Sequence, residues 1–156
     1  MADTKIHQTR VTIVTPYTNF LEQKADVVNL PSQDGSVGIM AGHMPLVIAL
    51  FPGICTVKLG DDVKHCVLTE GYAEISQHMV LIVSNSAEWP EDIDVKRAFK
   101  SIRENQELLK EVSLSDYKAK SYRENIDRAK ARLHLVELYG TTTQQSLLER
   151  LKKGES

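Results

Sequence analysis

The sequence predicts an α+β protein, with the two parts in sequence order: an N-terminal antiparallel β-sandwich or barrel followed by a C-terminal antiparallel two-helix hairpin. Up to about residue 88, apolar residues come in short runs separated by glycine and proline. After Pro90 no proline occurs, and apolar residues recur every three or four positions, which is the helical period. We therefore expect a β domain over residues 1–88, a helical hairpin over 89–140 and a polar C-terminal extension over 141–156.

The β domain is predicted from strand-like runs bounded by turn residues. Cys55, Val57 and Leu59 alternate with polar residues, as expected of a strand with one buried face. Many short strands at this spacing favour an antiparallel sandwich or barrel, and about ninety residues can bury an adequate core in that form. The predicted strands lie within residues 11–14, 20–30, 37–40, 46–50, 54–59, 63–69, 71–75 and 79–83.

The helical part is predicted from two apolar stripes separated by a break at residues 113–116. Gly140 is a natural end for the second helix, and so short a break favours an antiparallel hairpin. The stripes are narrow, so the hairpin buries little apolar area and is expected to be mobile; a permanently packed helix pair is the alternative. The stripes comprise Val95, Ala98, Phe99, Ile102, Leu109 and Val112, then Tyr122, Ile126, Ala129, Leu133 and Val136.

The C-terminal extension is polar at first and then carries Leu147, Leu148 and Leu151 among basic residues. This pattern is compatible with a short amphipathic helix that packs against a partner, although a helix of this length is marginal on its own. We assign the extension no role from the sequence.

Composition excludes several classes of function. The net charge is −2, which argues against nucleic-acid binding, but the charge is −6 through residue 93 and +4 from residue 94 onward. No apolar run approaches the roughly 20 residues of a membrane span, and the N-terminus does not have the pattern of a signal peptide. Cys55 and Cys66 are expected to be buried thiols in a reducing cytoplasm, and no metal or catalytic set is recognisable.

Two pairs of residues are candidates for ligand binding. Asp94 and Arg97 share the first turn of the first helix, and Arg128 and Arg132 share one face of the second. If the hairpin closes, the guanidinium groups could hold phosphates while Asp94 accepts hydrogen bonds from a base or sugar. The alternative is a solvated face with weak local ion pairs. His43 lies in a glycine-rich stretch and, without partners for chemistry, is expected to serve packing or an interface.

Short motifs follow one another along the chain: Val14-Thr15-Pro16, Leu30-Pro31, Gly38-Ile39, Gly42-His43-Met44-Pro45-Leu46, Pro52-Gly53, Glu70-Gly71-Tyr72-Ala73-Glu74, Ile93-Asp94-Val95-Lys96-Arg97-Ala98 and Arg128-Ala129-Lys130-Ala131-Arg132-Leu133. In their order and spacing these motifs resemble the epsilon subunit of bacterial F-type ATP synthases. The resemblance extends over residues 10 to about 139. It departs at Met40-Ala41, where the family commonly has a residue followed by proline, and at Ser36, where some members carry a carboxylate.

The resemblance implies a non-catalytic rotor subunit of the central stalk, located at the cytoplasmic face of the bacterial cell membrane. The sandwich would bind the gamma subunit and the c-ring, with Ser36, Met40 and His43 as candidate interface residues. The extended hairpin would reach the alpha and beta subunits and inhibit ATP hydrolysis. No cofactor is required, but ATP is a candidate regulatory ligand. Its candidate site comprises Ile93, Asp94, Arg97, Ala98, Arg128 and Arg132.

Two other functions remain open from the sequence. One is a free-standing nucleotide sensor that belongs to no rotary machine. The other is a small β-sandwich enzyme acting through His43 and nearby carboxylates, for which the sequence shows no base, nucleophile or metal set.

Overall fold

The computed structural model of the chain describes residues 8–113 and 115–155. The chain folds as two compact units, one ending at Ala87 and the other beginning at Glu88. The predicted order of β-sandwich and then helices is confirmed. The strands are β1 (Thr9–Val14), β2 (Asn19–Ala25), β3 (Val27–Ser32), β4 (Gly35–Met40), β5 (Leu46–Leu50), β6 (Gly53–Leu59), β7 (Asp62–Leu68), β8 (Gly71–Ile75), β9 (Met79–Ser84) and β10 (Ala87–Glu88). A 3₁₀ turn at Pro90–Asp92 is followed by α1 (Val95–Glu111), α2 (Tyr117–Tyr139) and α3 (Thr142–Lys152).

The strands form two sheets, in the orders β2–β1–β9–β8–β5 and β10–β7–β6–β3–β4. The pairing of β1 with β9 is parallel, and the other strand pairs with a described register are antiparallel. Alternate side chains from both sheets are completely buried and form the core, which is the arrangement of a sandwich. They include Val11, Ile13, Val28, Leu30, Ile39, Ile75, Val80 and Ile82.

The structure separates two strands within residues 20–30, where the sequence predicted one. Asp26 lies between β2 and β3, and its carboxylate accepts a hydrogen bond of 2.7 Å from the Gly60 amide. Because β2 pairs with β1 while β3 pairs with β4 and β6, the chain passes from one sheet to the other at this residue. Because apolar residues occur on both sides of Asp26, the sequence pattern does not reveal this change of sheet.

The cysteines lie opposite each other on β6 and β7 as buried free thiols. Burial and a hydrogen bond with Cys66 raise the pKa of Cys55, with the hydrogen bond as the larger cause. The two thiols therefore act as small core side chains, as the sequence predicted.

The second unit contains the predicted antiparallel pair α1 and α2. Each of these helices begins at an aspartate cap: Asp94 accepts from the Arg97 amide and Asp116 from the Lys118 amide. Helix α2 ends at Gly140 as predicted, but this glycine is extended and not left-handed. A Cβ atom there would lie 2.6 Å from the Val136 carbonyl oxygen, so close approach of the backbone explains the glycine.

The extension predicted to be polar forms helix α3, which packs on α1 and α2 of its own chain. Thr141 and Gln144 form a capping box at its start, and Leu148 is 2% exposed. The helix is therefore stabilised by tertiary contacts that its sequence alone does not reveal. None of the helices within the described ranges is long and apolar enough to cross a membrane.

Candidate functional site

The candidate site begins with the segment that enters α1. Pro90 starts the 3₁₀ turn, where its fixed φ and missing amide hydrogen are tolerated. The Asp94 carboxylate then caps α1 by accepting a hydrogen bond of 3.0 Å from the Arg97 amide. Local sequence therefore fixes both residues in the first turn of α1, with Arg97 projecting from an exposed position.

A recess of about 340 Å³ lies between this segment and α2. Two alanines, Ala98 on α1 and Ala129 on α2, line it with minimal side chains. The recess contains four of the six residues that the sequence proposed for a nucleotide, namely Asp94, Arg97, Ala98 and Arg132. The complete lining is Glu88, Asp92, Asp94, Arg97, Ala98, Ser101, Ala129 and Arg132.

Arg132 reaches the recess from α2 and forms an ion pair with Glu88 through its Nε atom. The side chains of Arg132 and Glu88 are 25% and 33% exposed, so the pair is partly shielded from water. Sequence reasoning missed Glu88 as a site residue because it lies 44 positions from its partner. Its position in the acidic segment before α1, facing a basic second helix, was the available signal.

The other two candidates do not line the recess. Ile93 is buried, and its carbonyl oxygen accepts a hydrogen bond from Gln144 of α3. Arg128 donates to the Asn125 side chain at 3.2 Å and lies 3.9 Å from a carboxylate oxygen of Glu124. In this conformation the predicted arginine pair on α2 is thus divided between two environments.

A polar network across the hairpin explains the position of Arg128. Asn105 is almost fully buried on α1 and donates to the Ser101 carbonyl oxygen at 2.7 Å. Its side-chain oxygen accepts from Asn125 of α2 at 3.1 Å, and Asn125 in turn accepts from Arg128. The apolar stripe of α1 is therefore interrupted by a satisfied polar contact, which fixes the alignment of the two helices.

The charged residues of the recess are three acids, Glu88, Asp92 and Asp94, and two arginines, Arg97 and Arg132. Among the described side chains, the Arg97 guanidinium forms no ion pair. Arg97 can thus donate to an anion directly, whereas the Nε–H group of Arg132 is already engaged by Glu88. Within residues 8–113 and 115–155 no group of three or more metal-ligating side chains is assembled.

The candidate interface residues lie in the first unit. Ser36 and Met40 are exposed on β4, and Met40 retains 62% of its accessible surface. His43 lies in the following loop, where its Nδ1 atom is 2.7 Å from the Met44 carbonyl oxygen. This hydrogen bond holds one edge of the imidazole ring against the adjacent backbone.

Exposed apolar side chains continue from this loop into β5. Met44 is 77% exposed and Val47 66% exposed, and Tyr72 of the neighbouring strand β8 is 46% exposed. Exposed large apolar side chains of this kind make the β4–β5 loop and β5 the candidate region for contact with a partner.

Comparisons with known proteins identify the family. The family described as "ATP synthase, Delta/Epsilon chain, beta-sandwich domain" matches residues 8–90. An ATP synthase epsilon chain from Alkaliphilus metalliredigens is 33% identical over 64% of this chain and 75% of the relative. The epsilon chain from Caldicellulosiruptor saccharolyticus is 31% identical over 80% of this chain and 90% of the relative.

A solved structure shares the fold. A chain in the OSCP/F1/c-ring structure of the Euglena gracilis mitochondrial ATP synthase aligns with a TM-score of 0.72 and 20% identity, covering 83% of this chain and 82% of that one. The sequence matches extend over more than half of this chain and most of each relative, and they agree with the resemblance found in its motifs. The chain therefore belongs to the epsilon chains of the F-type ATP synthase.

Proposed function

We propose that this epsilon chain is a non-catalytic rotor subunit in the central stalk of a proton-translocating ATP synthase. The observation that carries the proposal is the family match over residues 8–90 together with relatives named ATP synthase epsilon chain. Its partners are the gamma subunit and the c-ring, and it is held peripherally at the cytoplasmic face of the bacterial cell membrane. In this position it helps to couple rotation to ATP synthesis.

The exposed apolar surface of the first unit supports binding to a rotor partner. Met40, Met44 and Val47 occupy one continuous stretch from the end of β4 into β5. Burying such side chains against another subunit contributes about 25 cal/mol for each Å² of apolar surface removed from water. Ser36 on β4 and His43 in the loop between Met40 and Met44 supply polar groups to the same proposed interface, as is common in protein interfaces.

Co-expression with the gamma, alpha and beta subunits tests the rotor role. We expect the chain to co-purify with gamma in a stable complex and to remain bound during gel filtration. A chain that elutes alone at micromolar concentrations, while gamma assembles with alpha and beta, would instead favour a free-standing nucleotide sensor.

The helical unit serves regulation in this proposal. When α1 and α2 separate and extend toward the alpha and beta subunits, they inhibit ATP hydrolysis. ATP opposes this by binding in the recess, because one phosphate chain that contacts Arg97 of α1 and Arg132 of α2 joins the two helices. A ligand stabilises the conformation that it binds best, so ATP would favour the compact hairpin.

The recess needs a small rearrangement to take a triphosphate. The Glu88 carboxylate engages the Nε edge of the Arg132 guanidinium, so a phosphate that binds this edge through two hydrogen bonds must displace Glu88. Arg128 can add charge if it leaves Asn125 and turns toward the recess. The affinity for ATP therefore depends on competition between phosphate and the chain's own carboxylates.

An ATP titration of the purified chain tests the regulatory site. We expect ATP to slow amide hydrogen exchange in α1 and α2. We expect Arg97→Ala to lower the ATP affinity measured in this way at least about tenfold, because it removes a charged hydrogen bond. Arg103→Ala is the matched control because Arg103 is exposed on α1 and does not line the recess. Unchanged exchange at millimolar ATP would remove nucleotide sensing and leave the rotor role intact.

A further inference from the structure

Helix α3 joins the two ends of the hairpin that lie farthest from the α1–α2 turn. Its first turn contacts the segment that enters α1, and other side chains contact the last turn of α2. These connections involve no residue of the recess lining. They therefore constitute a separate feature of the helical unit.

Gln144 makes the connection to the start of α1. Its amide nitrogen lies 2.9 Å from the Pro90 carbonyl oxygen and 3.0 Å from that of Ile93. Its amide oxygen accepts from the Thr141 backbone amide at 2.9 Å. One side chain thus completes the cap of α3 and satisfies two carbonyl groups that precede the first turn of α1.

Gln145 and Lys152 make the connection to the end of α2. The Gln145 amide nitrogen donates to the Glu137 carbonyl oxygen at 3.0 Å, where helical carbonyl groups have no partner within the helix. Lys152 pairs with the Glu137 carboxylate at 2.8 Å. Between these contacts the Leu148 side chain is only 2% exposed, so it adds an apolar attachment.

We propose that α3 is a C-terminal clasp, consisting of Gln144, Gln145, Leu148 and Lys152, that holds the hairpin closed without any ligand. Because the clasp contacts both helices, α1 and α2 cannot separate at this end until its contacts break. The clasp thus sets a basal resistance to extension, and ATP would add to that resistance. The effect of the clasp on inhibition of ATP hydrolysis rests on the proposed function, whereas its effect on closure of the hairpin does not.

The substitution Gln144→Glu isolates the clasp from the stability of α3 itself. Glutamate is a preferred residue at this capping-box position and keeps an oxygen that accepts from Thr141. It removes both hydrogen-bond donors to Pro90 and Ile93 and places a carboxylate beside their carbonyl oxygens. Thr143→Glu is the matched control, because it adds the same charge to the same turn at an exposed position.

Amide hydrogen exchange of the full-length chain without nucleotide tests the proposal. We expect Gln144→Glu to raise exchange in the first turns of α1 and the last turn of α2 about tenfold relative to Thr143→Glu, with circular dichroism unchanged. Leu148→Ala, which removes the apolar attachment, should raise exchange in the same segments. If both variants exchange there within about twofold of Thr143→Glu, α3 does not hold the hairpin and the proposal is wrong.

The assembled enzyme provides a readout that a purely structural role would not change. With nucleotide conditions held constant, we expect Gln144→Glu to inhibit ATP hydrolysis more strongly than Thr143→Glu. If Gln144→Glu raises hydrogen exchange in the isolated chain but the two variants inhibit ATP hydrolysis equally, the clasp stands and the proposed inhibitory role of the hairpin fails. If neither changes, the clasp itself is refuted.

Discussion

Replacing Glu88 by glutamine should strengthen the ATP binding that we propose for the recess of this epsilon chain. The Glu88 carboxylate forms an ion pair with the Arg132 guanidinium, and the two side chains are only 33% and 25% exposed. A partly shielded ion pair of this kind contributes about 1 kcal/mol. Glutamine keeps the shape and an oxygen acceptor but removes the charge that competes with phosphate. The apparent affinity for ATP should therefore rise about fivefold.

Isothermal titration calorimetry of the full-length chain at two salt concentrations measures this change. Glu91→Gln is the matched control, since Glu91 is exposed in the same acidic segment and does not line the recess. The gain of Glu88→Gln over this control should shrink at high salt because the competition is electrostatic. An affinity that falls in Glu88→Gln would show that Glu88 contacts the nucleotide, and an affinity equal to the control would show that the ion pair does not compete.

Three further predictions concern the interface, the hairpin and its pH dependence. Val47→Glu should weaken co-purification with gamma at least about tenfold, because it places a charge on an exposed apolar surface. Val63→Glu, on a different strand, should leave co-purification unchanged. Equal losses of gamma binding in the two variants would contradict this interface. Asn105→Ala should lower the free energy of unfolding of the helical unit by about 1–3 kcal/mol, since it breaks two partly buried hydrogen bonds. Gln106→Ala, at an exposed position of the same helix, should change urea denaturation little. Matching denaturation curves for the two variants would refute the network. A hydrogen bond from Lys152 lowers the pKa of Glu137, so the contribution of this ion pair to stability is present above the usual glutamate pKa and is lost as pH falls through the lowered value. Protection of the α3 amides, corrected for the pH dependence of intrinsic exchange, should therefore fall with acid less steeply in Glu137→Gln than in the unsubstituted chain. Identical protection profiles would exclude this pair.

Much of the fold follows from patterns that are local in sequence. The change of period at Pro90 predicts the passage from strands to helices, and Gly140 predicts the end of α2. These features depend on backbone conformation within a few residues, so a sequence reveals them directly. Asp94 and Arg97 were placed together for the same reason, because residues three apart share one face of a helix.

The candidate site was only partly predictable because two of its properties depend on packing. Glu88 and Arg132 are 44 residues apart in the sequence, and no local pattern indicates that they form an ion pair. Asn105 is buried although it does not belong to the apolar stripe that the sequence predicts for α1. The partner that satisfies Asn105 comes from α2, so its burial is understandable only when both helices are in place.

The sequence by itself determined the family, the order of sandwich and helices, and the identity of the charged residues at the start of α1. These are encoded by short motifs and by periods of two or about 3.6 residues. Only the tertiary structure decided that Arg132 is engaged by Glu88, that Arg128 turns toward Asn125, and that the extension folds back as α3. Hydrogen bonds and ion pairs between distant segments form only where packing brings their atoms within about 3 Å, and sequence spacing does not specify that proximity.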